Sequence, residues 1–253
     1  MRTLNLFLKN KKFENFISLG YFCSIAEDLE IFGLRNSSMP FDWVISDFQS
    51  NLNLIQNNFD ELFNFDFFYQ SKTNRHIYKN IRYNFHFYHD FNSYQSLVSQ
   101  INNVEIKYKR RIKQFYSLII KPTLFIRYVD TENGLSELDY ILKNQTKIMT
   151  TIKEYHPKNE IIYIINDEYN NNLPINFYSV RKDSNDKVSR HPLISNKLFK
   201  DYFEQTYFPN RLINIKFYKS KLSMKRSLGF TMTRFVKKFL NLFKVKVIHS
   251  KQF

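Results

Sequence analysis

The chain has 253 residues, a net charge of +15 and an 18% share of aromatic residues, but only 4 Gly and 6 Pro. This length and composition suit one folded domain with an aromatic core and exclude a low-complexity chain or a loop-rich sandwich. Its single cysteine, Cys23, excludes an internal disulfide framework. With neither a signal peptide nor a long apolar run evident, we expect an intracellular, cytoplasmic protein without a transmembrane helix.

Apolar runs predict strands, and apolar residues at helical spacing predict helices between them. The predicted strands cover residues 16–20, 81–90, 123–129, 160–165 and 212–218, and the predicted helices cover about 23–34, 47–58, 94–119, 134–155 and 195–206. Residues 35–46 read as a turn-rich connection, 168–192 as a loop with irregular strand, and 59–69 carry no clear preference. This order predicts an α/β fold, with alternating strands and helices around a mostly parallel sheet. We expect one such domain over residues 1–220 and a basic amphipathic tail over 221–253.

Cys23 is the first candidate for chemistry. A strand, a turn at Gly20 and a helix place its thiol at or near the first turn of that helix. Unpaired backbone N–H groups and the positive end of the helix dipole favour a thiolate there. The alternative is an inert, buried cysteine, which is a common fate of this residue type.

His89 is the candidate partner of Cys23. In the predicted strand 81–90, His89 shares a face with apolar residues, whereas His86 and Asp90 project from the opposite face. If this strand runs parallel to the others, His89 lies at the sheet edge that also presents Gly20 to Cys23, Arg127 to Asp130, and Asn166-Asp167. A packed histidine with no role in chemistry is the alternative.

These residues fit a cysteine hydrolase or acyl-transfer enzyme. Cys23 attacks, His89 takes and returns the proton, and the amides at the helix start hold the oxyanion. An acid or amide must orient the imidazole. Asp90 is adjacent but points away, and Asp42, Asp130 or Asn166 are the other candidates. Arg127 lies inside an apolar strand and needs a partner, for which Asp42, Asp130 or a substrate anion are candidates.

Other chemistries find little support in the sequence. It holds no phosphate-binding glycine loop, no dinucleotide fingerprint, no G-x-S-x-G elbow and no H-E-x-x-H motif. His86 and His89 project from opposite faces of the predicted strand, which disfavours a shared metal ion. We therefore expect neither a metal nor another cofactor.

Three motifs in order resemble a known bacterial family, the domain of unknown function 1796 (DUF1796), which is described as papain-like cysteine peptidases. The pattern is carried by Ser18-Leu19-Gly20-x-x-Cys23-x-x-Ala26, then Leu34-Arg35-x-x-Ser38-x-Pro40-Phe41-Asp42-Trp43, then His89-Asp90-Phe91. Arg110-Arg111 on a helix and Phe125-Ile126-Arg127 on a strand also match, so the resemblance covers roughly residues 16–170.

The resemblance implies a Cys–His thiol hydrolase with Cys23 and His89 as its pair, and Asp90 or Asp42 as a supporting carboxylate. It also implies that Gly20, Arg35, Ser38, Trp43 and Arg127 lie at a substrate-binding surface. A papain-like chain would pass from the cysteine helix into an antiparallel sheet, whereas the element order predicts a parallel one. Alternatively, residues 40–43 form a structural turn in which Asp42 pairs with Arg35.

The substrate stays open between a peptide, an acyl group and a glycan. Because members of this family lie near cell-surface polysaccharide genes, a second hypothesis is an enzyme of polysaccharide biosynthesis or modification, peripheral to the inner membrane, in which Arg35 and Arg127 grip an anionic group.

The C-terminal tail carries most of the excess charge, since no Asp or Glu follows Glu204. Residues 225–247 combine apolar residues at helical spacing with Lys and Arg, which is typical of a helix that lies on an anionic membrane surface. A helix docked on the domain is the structural alternative. Nucleic acid is a weaker candidate partner because no recognised reading motif is present. A non-enzymatic membrane- or nucleic-acid-binding module is therefore the third hypothesis.

Overall fold

The structure, a computed structural model, describes residues 7–8, 10–131, 135–166, 168, 173–181 and 189–207. Its strands are β1 (Asn15–Ser18), β2 (Val44–Ser46), β3 (Phe68–Gln70), β4 (Tyr78–Asn80), β5 (Phe85–Phe87), β6 (Thr123–Tyr128), β7 (Glu160–Asn166) and β8 (Phe177–Val180). Its helices are α1 (Ser24–Phe32), α2 (Phe48–Gln56), α3 (Leu97–Ile119), α4 (Ser136–Lys143), α5 (Gln145–Lys153), α6 (Pro192–Ser195) and α7 (Lys197–Tyr207), with a short 3-10 helix at Phe65–Phe67.

A parallel sheet of four strands, in the order β1-β6-β7-β8, confirms the predicted α/β fold. Every residue of β6 and β7 is buried, as expected for central parallel strands covered on both faces. The strand β8 falls within the segment predicted to be a loop with irregular strand. The carboxyl ends of β1, β6 and β7 lie at one edge of this sheet.

A second, antiparallel sheet has the order β2-β5-β4-β3. The predicted strand 81–90 was therefore too long, because only Phe85–Phe87 is extended, and it does not run parallel beside β1. Burial alternates where predicted, with Phe85 and Phe87 inside, but Ile81 and His89 are exposed. The chain thus does pass from α1 into an antiparallel sheet, in addition to forming the parallel one.

Most predicted helices are confirmed within a few residues of their ends. The exception is the predicted helix 134–155, which divides into α4 and α5 at Asn144. The side-chain amide of Asn144 donates to the carbonyl oxygen of Tyr140 at 2.8 Å, an interaction that ends α4. The one-turn helix α6 precedes α7 and was not predicted.

Aromatic side chains fill the space between the antiparallel sheet and α3. Tyr108 of α3 is fully buried, and its ring lies 5.3 Å from Phe63 and 5.4 Å from Phe87. Phe115, two turns further along α3, packs against Phe41 and Phe59. The aromatic excess of the composition is thus largely used in this core.

The described residues belong to one compact unit, Met1–Arg211. The predicted strand 212–218 and the basic amphipathic helix 225–247 lie outside the described residues, so the division at residue 220 stays a prediction. No described helix is both long enough and apolar enough to cross a membrane.

Candidate active site

Cys23 lies at the start of α1, as predicted. It occupies the position that caps the helix, and its carbonyl oxygen accepts a hydrogen bond from the backbone N–H of Glu27 at 2.9 Å. The residue is partly exposed. In general, the unpaired N–H groups at a helix start and the positive end of the helix dipole favour a thiolate at such a position.

The turn between β1 and Cys23 requires glycine at position 20. Gly20 has a φ of +82°, and a Cβ there would lie 3.0 Å from Nη1 of Arg127 and 3.1 Å from Oγ of Ser46. The carbonyl oxygen of Phe41 lies 3.7 Å from the same point. Gly20 therefore brings the cysteine turn directly against the segment that carries Phe41 and Trp43. Its predicted place at a substrate-binding surface stays a prediction.

Arg127 holds this junction together from inside the molecule. Its side chain is 0% exposed, and its Nε and Nη2 donate to the carboxylate of Glu137 on α4 at 2.9 and 2.6 Å. Nη1 donates to the carbonyl oxygen of Leu19 and Nη2 to that of Ser46, both at 2.8 Å. One guanidinium thus joins the end of β1, the end of β2 and the start of α4.

The partner predicted for Arg127 from the sequence was wrong. Neither Asp42 nor Asp130 forms its ion pair. Glu137 does, and the Glu137 carboxylate also accepts a hydrogen bond from the backbone N–H of Asp130 at 3.1 Å. Because Arg127 is buried and already paired with a carboxylate, it is not placed to grip a substrate anion.

Asp42 and Arg35 form the ion pair that the structural alternative predicted. Asp42 is buried, and its carboxylate accepts hydrogen bonds from Nε of Arg35 at 2.8 Å and from the backbone N–H of Met39 at 2.7 Å. Burial raises the pKa of Asp42, and the Arg35 charge opposes that shift. Arg35 also donates to Ser38 at 2.8 Å and to Glu30 at 3.0 Å. Arg35, Ser38 and Asp42 therefore lock one turn.

Trp43 connects this turn to His89. The Arg35 guanidinium lies 5.2 Å from the centre of the indole ring, in a cation–π contact. The imidazole of His89 meets the indole edge-on, with 6.4 Å between ring centres. Trp43 is half-buried and His89 is exposed. The motif that ends at Trp43 and the motif that begins at His89 therefore meet at this pair of rings. The first of these motifs also approaches Gly20, through the carbonyl oxygen of Phe41.

The two carboxylates predicted to support His89 are occupied elsewhere. Asp90 is ion-paired with Lys107 of α3 and accepts a hydrogen bond from the hydroxyl of Tyr108 at 3.1 Å, whereas Asp42 is held by Arg35. Within the described ranges, neither carboxylate hydrogen-bonds the imidazole of His89. A supporting role for Asp90 or Asp42 stays a prediction, one that this arrangement does not provide through a direct hydrogen bond.

A second histidine lies against α1, and the sequence analysis missed it. Nδ1 of His191 lies 2.8 Å from the carboxylate of Asp28, which also accepts the backbone N–H groups of Leu193 at 2.7 Å and Ile194 at 3.3 Å. Asp28 is fully buried, and burial raises its pKa while His191 opposes the shift. A carboxylate on the buried face of a predicted helix was the available signal, although it did not name the partner.

Polar groups also meet at the carboxyl edge of the parallel sheet, beside the cysteine turn. The hydroxyl of Tyr128 donates to Oδ1 of Asn166 at 2.6 Å and accepts the backbone N–H of Ser189 at 3.0 Å. Phe22, next to Cys23, packs against the ring of Tyr128 with 5.4 Å between centres. The predicted neighbour Asp167 lies outside the described residues. This edge therefore carries the thiol and a tyrosine–amide pair.

The described residues include no group of three or more His, Cys, Asp or Glu side chains arranged to hold a metal ion. The chain places a thiol at the start of α1, beside the backbone N–H groups of the first helical turn, and an exposed imidazole on the segment that carries His89. These are the components of nucleophilic acyl chemistry.

Comparison with known proteins gives a consistent result. The family model "Putative papain-like cysteine peptidase (DUF1796)" matches residues 14–168, which include Cys23, the Asp42 turn, His89 and Arg127. "Uncharacterized protein R408" of Acanthamoeba polyphaga mimivirus is 33% identical over 177 residues, covering 57% of this chain and 79% of that protein. This relative is viral, whereas the resemblance pointed to a bacterial source. No solved structure matches the chain significantly.

Proposed function

The chain belongs to the DUF1796 family, and on that premise we propose that it is a thiol-dependent hydrolase or acyl-transfer enzyme with Cys23 as its nucleophile and His89 as its general base and acid. The observation that carries the proposal is the placement of Cys23 at the start of α1, beyond the carboxyl end of β1. Family membership supports a cysteine peptidase as the class of enzyme.

The structure around Cys23 supports reactivity of this thiol. Cys23 is partly exposed, so a substrate can reach it, and it is the chain's single cysteine. Arg127 ties the turn before it to the neighbouring sheet, because it donates to the carbonyl oxygen of Leu19 at the start of the turn and to that of Ser46 at the end of β2. A nucleophile needs this rigidity, because catalysis depends on a narrow range of attack geometries.

In the proposed reaction, His89 takes the thiol proton, and the Cys23 sulfur attacks the carbonyl carbon of the substrate. The new S–C bond moves the carbonyl π electrons to oxygen, and N–H groups of the first turn of α1 stabilise that oxyanion. The intermediate collapses, the bond to the leaving group breaks, and His89 returns the proton to the departing amine or alcohol.

The resulting thioester on Cys23 is resolved by a second acceptor. Water gives a hydrolase, and another nucleophile gives an acyltransferase. His89 removes the proton from that acceptor as it attacks, the S–C bond breaks, and the proton returns to the thiol. The cycle balances without an oxidant, a reductant or a metal ion.

The polysaccharide hypothesis stays a prediction. It placed Arg35 and Arg127 against an anionic group, but Arg35 is ion-paired with Asp42 and Glu30, and Arg127 is buried against Glu137. Acyl transfer onto a glycan remains within the proposed chemistry, as one choice of acceptor.

The test is to trap the acyl-enzyme. The protein is incubated with 4-nitrophenyl acetate, quenched with acid at successive times and analysed by intact-mass and peptide-mapping mass spectrometry. We expect one acetyl group on Cys23 that appears early and then disappears, none in Cys23→Ala, and much slower formation in His89→Ala. A parent protein that never acquires the acetyl group, or keeps it as an inert adduct, would contradict the proposed reaction.

A further inference from the structure

His89 has few contacts that fix its position. It is exposed, and its imidazole meets only the edge of Trp43 among the ring contacts of the described residues. A general base must be held within a narrow range of positions to serve a fixed thiol. The structure therefore raises the question of what positions this histidine.

The residue after His89 is firmly held. The side chain of Asp90 is 2% exposed, forms an ion pair with Lys107 and accepts a hydrogen bond from the Tyr108 hydroxyl at 3.1 Å. Nη1 of Arg111, one turn further along α3, lies 3.9 Å from the same carboxylate. Three side chains within little more than one turn of a 23-residue helix thus converge on this carboxylate.

Resting on the proposed function, we propose that Lys107, Tyr108 and Arg111 of α3 are positioning residues, which fix His89 by gripping the carboxylate of the adjacent Asp90. Asp90 acts through the backbone in this arrangement, not by a hydrogen bond to the imidazole. This assigns a role to the His-Asp-Phe and basic-helix motifs together, because each supplies one half of the contact.

The backbone around His89 supports this role. Phe87, two residues earlier, ends β5 and is fully buried, and Phe91, two residues later, packs on Tyr78 with 4.6 Å between ring centres. His89 is therefore the exposed member of a short segment that is anchored on both sides. The Asp90 contact is the anchor nearest to it and the one that is polar and directional.

The chemistry of the contact suits a permanent anchor. Tyr108 is fully buried, and its pKa is raised by burial and by the Asp90 charge, so its hydroxyl remains a hydrogen-bond donor. The same face of α3 also acts on the turn that contains Asp42. Burial raises the pKa of Asp42, and the Arg111 charge is among the effects that oppose this shift. Nε and Nη1 of Arg111 are buried without a hydrogen-bond acceptor, so Arg111 contributes charge rather than directed bonds.

The experiment measures the alkylation rate of Cys23 by iodoacetamide against pH, in the parent, Tyr108→Phe, Asp90→Asn and Asp90→Ala. Tyr108→Phe deletes one hydroxyl and keeps the ring in the core, so the fold is retained. Tyr116→Phe is the matched control, because it also deletes a tyrosine hydroxyl from α3. That hydroxyl donates to the carbonyl oxygen of Ile55 at 2.7 Å and does not contact Asp90.

We expect a parent profile with a plateau well below the ordinary thiol pKa of about 8.5. Tyr108→Phe should raise the apparent pKa of the Cys23 thiol by about one unit. At a pH below the plateau, the alkylation rate should then be about tenfold lower than in the parent. Asp90→Asn, which retains an acceptor for Tyr108, should have a smaller effect than Asp90→Ala, and Tyr116→Phe should match the parent.

The possible failures separate two causes. If the parent shows the plateau and the Tyr108 and Asp90 variants keep it, the positioning role is wrong and the Cys–His pair stands. If Tyr116→Phe shifts the profile as much as Tyr108→Phe, a general loosening of α3 explains the effect and the specific grip on Asp90 is refuted. If the parent itself lacks the plateau, the proposed function fails, and the positioning role fails with it.

Discussion

Breaking the pair between Arg127 and Glu137 should destabilise the protein more than any surface change. Arg127→Met removes four hydrogen bonds, leaves the Glu137 carboxylate buried, and frees the carbonyl oxygens of Leu19 and Ser46. Removing one partner of a buried ion pair costs about 3–5 kcal/mol. Each carbonyl that is left unsatisfied adds to that cost, so we expect a value in the upper half of this range.

The assay is urea unfolding, followed by the fluorescence of Trp43, the chain's single tryptophan. Glu137→Gln should also destabilise, because the Arg127 charge is then buried without its counter-charge. The double variant should cost less than the sum of the two single changes, with a coupling of about 1–3 kcal/mol. A loss below about 1 kcal/mol for Arg127→Met, or strictly additive effects, would refute a buried structural role for this arginine.

Four further substitutions, at three places in the fold, are also tested by urea unfolding. Burial, and then the Lys79 charge, lower the pKa of His86 to about 4. Since an unfolded histidine titrates near 6.5 and binds a proton that the folded one does not, stability should be full above about pH 6.5 and fall as the pH drops towards 4. Partial exposure limits the loss to about 1 kcal/mol, and His86→Gln should remove it; an unchanged acid profile would count against a partly buried, neutral imidazole. Gly20→Ala should cost about 2–4 kcal/mol, from the positive φ and the 3.0 Å approach of its Cβ to a guanidinium nitrogen, and a neutral result would contradict that packing. Asp28→Asn should cost about 1–3 kcal/mol because two backbone N–H groups lose a charged acceptor, whereas His191→Ala, at a side chain that is 27% exposed, should cost less; the reverse order would show that His191 carries the contact.

The parts of the fold that follow local patterns were predictable. The run from Phe16 to Leu19, the turn at Gly20 and the amphipathic spacing of α1 all act within about 15 residues, so the position of Cys23 at the helix start followed from the sequence. The long apolar runs of β6 and β7 likewise identified the centre of the parallel sheet.

The antiparallel sheet was not predictable in the same way. Its strands β2, β4 and β5 have three residues each, which is too short for a period of two to be distinguished from a loop. Their pairing joins Val44 to Phe87, across 43 positions of chain, and depends on packing against α3. Tertiary contacts, rather than local preference, therefore decide this sheet.

The charged partners in the site show the same limit. The sequence indicated that Arg127 needed a carboxylate but offered several, and the choice of Glu137 follows from how α4 packs. Asp28 and His191 are 163 positions apart, so no spacing rule could pair them. The pair between Arg35 and Asp42 was predicted because both residues lie in one short turn.

The most direct test of the central claim is the alkylation rate of Cys23 against pH in the parent and in His89→Ala, with the retained fold of each checked by Trp43 fluorescence. A single cysteine makes the signal unambiguous. The account predicts a rate plateau well below the ordinary thiol pKa of about 8.5, which disappears in His89→Ala because the thiolate loses its imidazolium partner. A rate that rises only near that pKa in the parent, or a plateau that His89→Ala leaves intact, would contradict the pairing of Cys23 with His89.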